Sequence, residues 1–302
     1  MATYYCDIEN GNDTTGTGSS GNPYMTLSKG LSVISTNDTL ILAPSDTTDY
    51  DAAYKSMPAG ATVKCLTKPN LQTSTYARIN GAGTYQTWSL TGDFTCENIV
   101  FYNFNSGSGS VIYTGNFTAS LQTITINDCI VDSCQSSYSS AGRGGFLGNG
   151  GSVANPAQAS IVVNFNRCLI HNFREPSGYT ASTFISAVGT SKYDINFHEC
   201  TFYNPASGDE LDNIYTTYNA GDVPYFRNCI IYTDQTVPLN ICKDSSGNYK
   251  PSIMTNCVYY GVTTTSATIT NSVNADPKFL DKTNKDFRLQ SSSPAIDAGL
   301  AV

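Results

Sequence analysis

A short line of one form recurs along the chain: an apolar residue, a polar pair, a cysteine or its stand-in, then more apolar residues. The copies are CENIVFYNF (96–104), INDCIVDSC (126–134), FNRCLIHNF (165–173), FHECTFYNP (197–205), FRNCIIYTD (226–234) and MTNCVYYG (254–261), with a weaker seventh, ITNSVNAD (269–276). The recurring slot holds Ile99, Cys129, Cys168, Cys200, Cys229, Cys257 and Ser272. Successive slots lie 30, 39, 32, 29, 28 and 15 residues apart. A constant line with spacers of variable length describes one supersecondary unit stacked on itself, and repetition of this kind decides the architecture before local propensity does.

The line itself reads as strand. Three residues before the slot stand Cys96, Ile126, Phe165, Phe197, Phe226, Met254 and Ile269, all apolar, which predicts an inward column. The two residues between are polar, as in Asn127-Asp128, His198-Glu199 and Arg227-Asn228. A polar pair between two inward columns is a tight corner, and Asn and Asp suit corners because they tolerate left-handed dihedrals. After the corner, inward positions alternate: Cys129 with Val131, Cys168 with Ile170, Cys200 with Phe202, Cys229 with Ile231. That is the period of a strand, and no 3.6-residue period competes with it. Short strands, polar corners and columns of like residues predict an all-β chain, wound as one parallel β-helix solenoid with coils about 4.8 Å apart.

The ends of such a stack need caps. Residues 1–36 are expected to supply an N-terminal strand and a short capping helix, continuous with the β-helix of 37–302. Asn22 and Pro23 look like N-cap and first helical residue, and Tyr24, Leu27, Leu31 and Ile34 share one helical face. NDTLILAPSD (37–46) and ATVKCLTK (61–68) then read as the first coil strands. The stretch GNPYMTLSKGLSVISTNDTLILAPSDTTDY (21–50) resembles the entry module of pectate-lyase-like right-handed parallel β-helix proteins. That module runs Gly-x-Pro-x-x-Thr-Leu, a capping helix, then a Gly-Asp-Thr-Ile strand leading to Pro-Gly. Here Asn37 replaces a Gly and Ser45 stands where the second Gly is expected. The tail ADPKFLDKTNKDFRLQSSSPAIDAG (275–299) resembles the C-terminal signature of the same class. The resemblance, which extends to phage and bacterial β-helix structural and spike proteins, implies the right-handed fold. It leaves function open, since lyases, hydrolases, adhesins and phage spikes share that fold.

Ten cysteines could suggest disulfides, but five of them stand at the slot, one per repeat and some 30 residues apart. With no CxxC and only two His, no metal site is expected either. Reduced core thiols stacked in a column are the expectation, and no cofactor is implied. A net charge of −8 without any basic run argues against nucleic acid as a partner. No segment reaches the roughly 18 apolar residues that would suggest a membrane span. MATYYCDIENG carries neither a basic n-region nor an apolar h-region, so either folding in a reducing cytoplasm or numbering from a processed start is expected.

Candidate chemistry is sparse. The densest acidic cluster is Asp209, Glu210 and Asp212, on the spacer after one strand, with Arg174-Glu175 after the equivalent strand one coil earlier. Paired carboxyls about 5–9.5 Å apart are what glycoside hydrolysis requires. The cluster is a catalytic candidate only if the chain is an enzyme, and a solvated turn is the favoured reading. Asp46, Asp49 and Asp51 form a similar run, also read as solvated rather than as a calcium site. His198 and Glu199 fall in a corner, where other coils carry Asn and Asp. His171 stands in the column Tyr102, Asp132, His171, Tyr203, Tyr232, Tyr260, which reads as surface or contact. RGGF (143–146) does not match a phosphate loop.

One residue after the slot lies a different column: Val100, Ile130, Leu169, Thr201, Ile230, Val258 and Val273. If the slot points inward, this apolar column points outward beside the tyrosines. It is expected to be a contact surface, covered either by spacers folding back or by another chain.

The leading expectation is therefore a non-enzymatic structural or binding β-helix. It would be a phage virion component, such as a capsid decoration, fibre or spike, made in the host cytoplasm. Its partners would be other virion proteins or itself, with a homotrimer implied by resemblance to phage spikes. One alternative is a polysaccharide lyase or glycoside hydrolase of the tailspike type. Another is an extracellular, cell-surface adhesin that binds glycans; surface polysaccharide is the partner in both.

Overall fold

The computed structural model describes residues 1–70, 72, 75–82, 88–106, 110–114, 121–136, 145–149, 160–173, 183–187, 192–204, 213–217, 221–234, 239–244 and 246–299. Their strands form three parallel sheets of ten, nine and eight strands, and a two-stranded antiparallel hairpin near the C-terminus. The ten-stranded sheet runs from Thr3–Cys6 to Ala267–Thr270. The nine-stranded sheet runs from Tyr50–Asp51 to Val273–Asn274, and the eight-stranded sheet from Lys55–Met57 to Val262–Thr263. Each strand pairs with its equivalent one turn later, so the chain winds as a parallel β-helix. Right-handed winding is the sense that right-twisted parallel strands take on crossing over.

The register is the one the repeat requires. Cys96 pairs with Ile126, Ile126 with Phe165, Phe165 with Phe197, Phe197 with Phe226, and Phe226 with Met254. All six are fully buried. The three phenylalanines stack nearly face to face, with ring centroids 5.0 and 4.8 Å apart. That spacing is the coil repeat itself, so stacking follows once like residues share a column.

The corner residue takes the left-handed conformation at every repeat. Asn98, Asp128, Arg167, Glu199, Asn228, Asn256 and Asn271 have φ between 49° and 59°. Asn tolerates this well; Arg167 and Glu199 carry the strain that side chains other than Asn, Asp and Gly meet there. A second left-handed position, absent from the expectation, lies four residues after the slot. Asn103, Ser133 and Asn172 hold it with φ of 57°, 55° and 52°. The bend turns Phe104, Cys134 and Phe173 back into the core, where each is at most 2 % exposed. The residue before it changes from Tyr102 to Asp132 to His171, so no constant pattern marks the bend in the sequence.

All ten cysteines are buried and free. In the slot, each thiol donates to the carbonyl three residues before the slot of the preceding coil. Cys168 reaches Ile126 at 3.3 Å, Cys200 reaches Phe165 at 3.4 Å, Cys229 reaches Phe197 at 3.4 Å, and Cys257 reaches Phe226 at 3.5 Å. A small apolar side chain with a weak donor fits a corner where carbonyls keep a second lone pair. Burial pushes the Cys129, Cys134 and Cys200 thiols well up, and the Cys242 thiol up to about 12. In the last coil Ser272 takes the slot. Its hydroxyl accepts from the Cys257 N–H and donates to Thr270.

The capping helix is Leu27–Val33, shorter than expected, with Thr26 and not Asn22 as N-cap. Asp13 explains the displacement. Its carboxylate accepts from the Met25 and Thr26 N–H groups and from the Thr26 hydroxyl, fixing the entry point. Asn22 instead closes a turn onto Ser19, and Tyr24 bridges to Cys6. Leu27 and Leu31, each 1 % exposed, belong to the interior cluster beside Cys6 and Leu40.

Candidate binding groove

The column one residue after the slot does point away from the interior. Val100, Ile130, Leu169, Thr201, Ile230, Val258 and Val273 are neighbours across successive coils of the nine-stranded sheet. None belongs to the interior cluster. Val100 and Ile130 pack with Tyr76, Tyr102 and Leu169 in one outer cluster, and Tyr203, Tyr232 and Ile230 in another. The second cluster is completed by the chain's own tail through Phe279, Phe287 and Leu289. These residues lie on the hairpin Phe279–Asp281 and Asp286–Leu289, laid over the sheet. Val258 is 2 % exposed, whereas Tyr260 and Val273, at the end of the stack, are exposed.

Ionic contacts fasten the hairpin. Lys285 Nζ lies 2.7 Å from Asp132 Oδ2, and Lys282 Nζ 2.9 Å from Asp234 Oδ2. Under it, His171 is buried, so of the two readings, surface or contact, it is a contact residue. Its ring lies 5.7 Å from that of Phe287. Its Nδ1 is 3.4 Å from Asp132, and its Nε2 has no hydrogen-bond partner among the described residues. Burial drives the imidazole pKa down to about 4, so the ring is neutral.

Where the hairpin stops, a groove of about 740 Å3 opens on the sheet. Its floor is Ile130 and Leu169, with Phe287 from the tail. Lys68 and Arg167 line it from the rod, Lys285 and Arg288 from the hairpin, and its carboxylates are Asp128 and Asp286. Arg167 grips Asp128 in a two-point contact of 2.9 and 2.7 Å, and Lys68 pairs with the same carboxylate. Burial works to raise the Asp128 carboxyl, but the bonds from Arg167 and Lys68 outweigh it and hold it below the usual range. The Arg288 guanidinium holds Asp286 down in the same way. Both carboxylates are thus charged and paired, which suits binding rather than proton donation.

The same face continues toward the N-terminal end as a polar cluster. Arg78 Nε lies 2.5 Å from Asp49 Oδ1, the Tyr102 hydroxyl donates to Asp49, and Arg78 lies 5.7 Å from the Tyr76 ring centre. Burial, and then the bond to Asp49, push the Tyr102 phenol up to about 12. Asp49 is therefore held by a guanidinium and a phenol, while Asp46 and Asp51 are exposed.

The remaining sequence candidates divide. Glu199 is an exposed corner residue, and His198 lies half-buried at a strand end, edge-on to Tyr225. Asp209, Glu210 and Asp212, with Arg174, Glu175 and the start of RGGF, lie outside the described residues. The tail cations of the groove were not legible beforehand, because the tail meets Asp132 across some 150 residues. Arg167 alone carried a signal, as a bulky cation in a corner column otherwise dominated by Asn.

No family model matches the chain, and no curated protein does. Among solved structures it is similar to pectin methylesterase PemA from Erwinia chrysanthemi. They are 10 % identical over 88 % of this chain and 80 % of that one, with a TM-score of 0.47. It is also similar to the GH136 lacto-N-biosidase from Eubacterium ramulus, at 11 % identity over 91 % and 67 % of the two chains, with a TM-score of 0.28. At these identities and scores neither likeness transfers a site or an activity.

Proposed function

We propose that this protein is a non-enzymatic, carbohydrate-binding β-helix whose groove holds a stretch of anionic polysaccharide against the nine-stranded sheet. The observation that carries this reading is the convergence of Lys68, Arg167, Lys285 and Arg288 over an apolar floor, on a chain of net charge −8. An apolar floor suits the C–H faces of sugar rings, and cations suit their acidic groups. Arg167 spends two N–H groups on Asp128 and keeps three for a ligand. Hydrolysis would call for a carboxyl kept protonated near neutrality, and Asp128 and Asp286 are held the opposite way. The test is calorimetric titration with acidic and neutral polysaccharides, alongside assays for new reducing ends and unsaturated uronates. Binding of acidic chains alone, weakened in Arg167→Ala, is expected. New chain ends would overturn the non-enzymatic reading, and no binding would overturn the groove.

A second reading, a virion component such as a capsid decoration, fibre or spike, is supported by the uninterrupted stack of buried columns. A rod of this kind resists proteolysis and mechanical stress. Mass spectrometry of purified virions tests it, and absence of the chain there would exclude it.

A further inference from the structure

The two ends of the solenoid are finished differently. At the N-terminal end the edge of Thr3–Cys6 is already paired. The Tyr5 N–H donates to Gly18, the Tyr24 N–H donates to Tyr5, and the Asp7 N–H donates to Tyr24. Helix Leu27–Val33 packs beside it. At the other end the last coil contributes one strand to each sheet: Val262–Thr263, Ala267–Thr270 and Val273–Asn274. Among the described residues, none of the three is paired on its far side. Thr270 accepts from Asn256 in the coil below, so strand alternation turns the Ile269 N–H and C=O toward the open side. Ile269, in the inward column, is 37 % exposed there.

Edges of this kind are usually blunted by charge, proline or a covering segment. Residues 261–275, GVTTTSATITNSVNA, contain no charged residue and no proline, and are rich in β-branched side chains. The tail that follows runs down the side of the rod, where Phe279 and Phe287 cover the nine-stranded sheet and Gly299 lies against Asn228.

We infer that this open coil is a docking surface for the same coil of a second copy, giving an end-to-end dimer with two-fold symmetry. Three observations select that occupant. The edge is uncharged, so two copies do not repel. The opposite end is closed, so head-to-tail stacking finds no equivalent edge. The spacing of the strands is self-complementary: the midpoint of Val262–Thr263 and Val273–Asn274 is residue 268, which falls within Ala267–Thr270. A two-fold axis at that residue sets Ala267–Thr270 antiparallel to its own copy. It also sets Val262–Thr263 opposite Val273–Asn274, with all three edges meeting together. The closed two-fold stops growth at two copies, as a heterologous contact would not.

Sedimentation of the full chain over a concentration series tests this. The mass should approach twice that of one chain as concentration rises, and Thr268→Lys, which sets two ammonium groups face to face, should return it to one chain with unchanged circular dichroism. Thr268→Cys should give a dimer held by a disulfide on a non-reducing gel, because residue 268 faces its own copy. A wild-type protein that stays monomeric throughout, a trimer, or a dimer that persists in Thr268→Lys and fails to cross-link through Thr268→Cys would each overturn the inference.

Discussion

Lys285 and Asp132 lie 153 residues apart in the chain and 2.7 Å apart in space, and their contact fixes the tail hairpin to the sixth-last strand of the nine-stranded sheet. The Lys285 side chain is half exposed, so the pair is screened and contributes about 1 kcal/mol or less. Lys285→Met should accordingly leave the rod folded while speeding amide exchange in 279–289. Hydrogen exchange read by mass spectrometry separates these regions; equal loosening of the ten-stranded sheet would show that the hairpin supports the whole solenoid.

The neutral His171 beneath the hairpin gives stability a defined pH window. Its folded pKa, about 4, lies below the ordinary value of 6.5, because burial penalises the charged ring. The unfolded chain therefore binds a proton first as pH falls. The stabilising contribution is complete above about 6.5 and is lost as pH drops toward 4, by up to about 3 kcal/mol. Urea midpoints measured between pH 7 and 4 should fall steeply in the wild type and less steeply in His171→Phe. Parallel curves would assign the acid sensitivity to other groups.

The thiol column should be chemically silent in the folded protein. All ten cysteines are buried, and burial raises the Cys129, Cys134 and Cys200 thiols. A thiol reagent counted by mass should label none in buffer and all ten in denaturant. Rapid labelling of Cys168 or Cys200 in buffer would contradict the inward register.

Corner strain is open to the same kind of check. Glu199 sits at φ 56° in a column where most other coils place Asn. Glu199→Asn should raise stability by up to about 1 kcal/mol, and Asn228→Val should lower it by about 1–2 kcal/mol. Chemical denaturation reads both, and a neutral Asn228→Val would mean that the corner relaxes.

The parts of this molecule that repeat were legible, because a column states the same physical requirement many times over. Phe165, Phe197 and Phe226 each vote for one inward position, and Asn98, Asn228 and Asn256 for one corner. The parts that occur once were not. Thr26 became the N-cap because Asp13, thirteen residues earlier, binds it, and no local pattern encodes that contact. The outer column was expected to need cover, and the part of it at Ile230 is covered by the hairpin carrying Phe279 and Phe287, brought there by the winding of the whole chain. The groove inherits this limit: Arg167 comes from a corner, Lys68 from a spacer and Arg288 from the tail.

The proposed binding of an acidic polymer rests on these cations acting together. Its most direct measurement is the affinity of one acidic polysaccharide for the wild type and for Arg167→Gln and Arg288→Gln, at several salt concentrations. Affinity should fall with salt, as screened charge contacts do, and each variant should lose roughly tenfold while remaining folded. Wild-type affinity in both variants, or binding indifferent to salt, would contradict it.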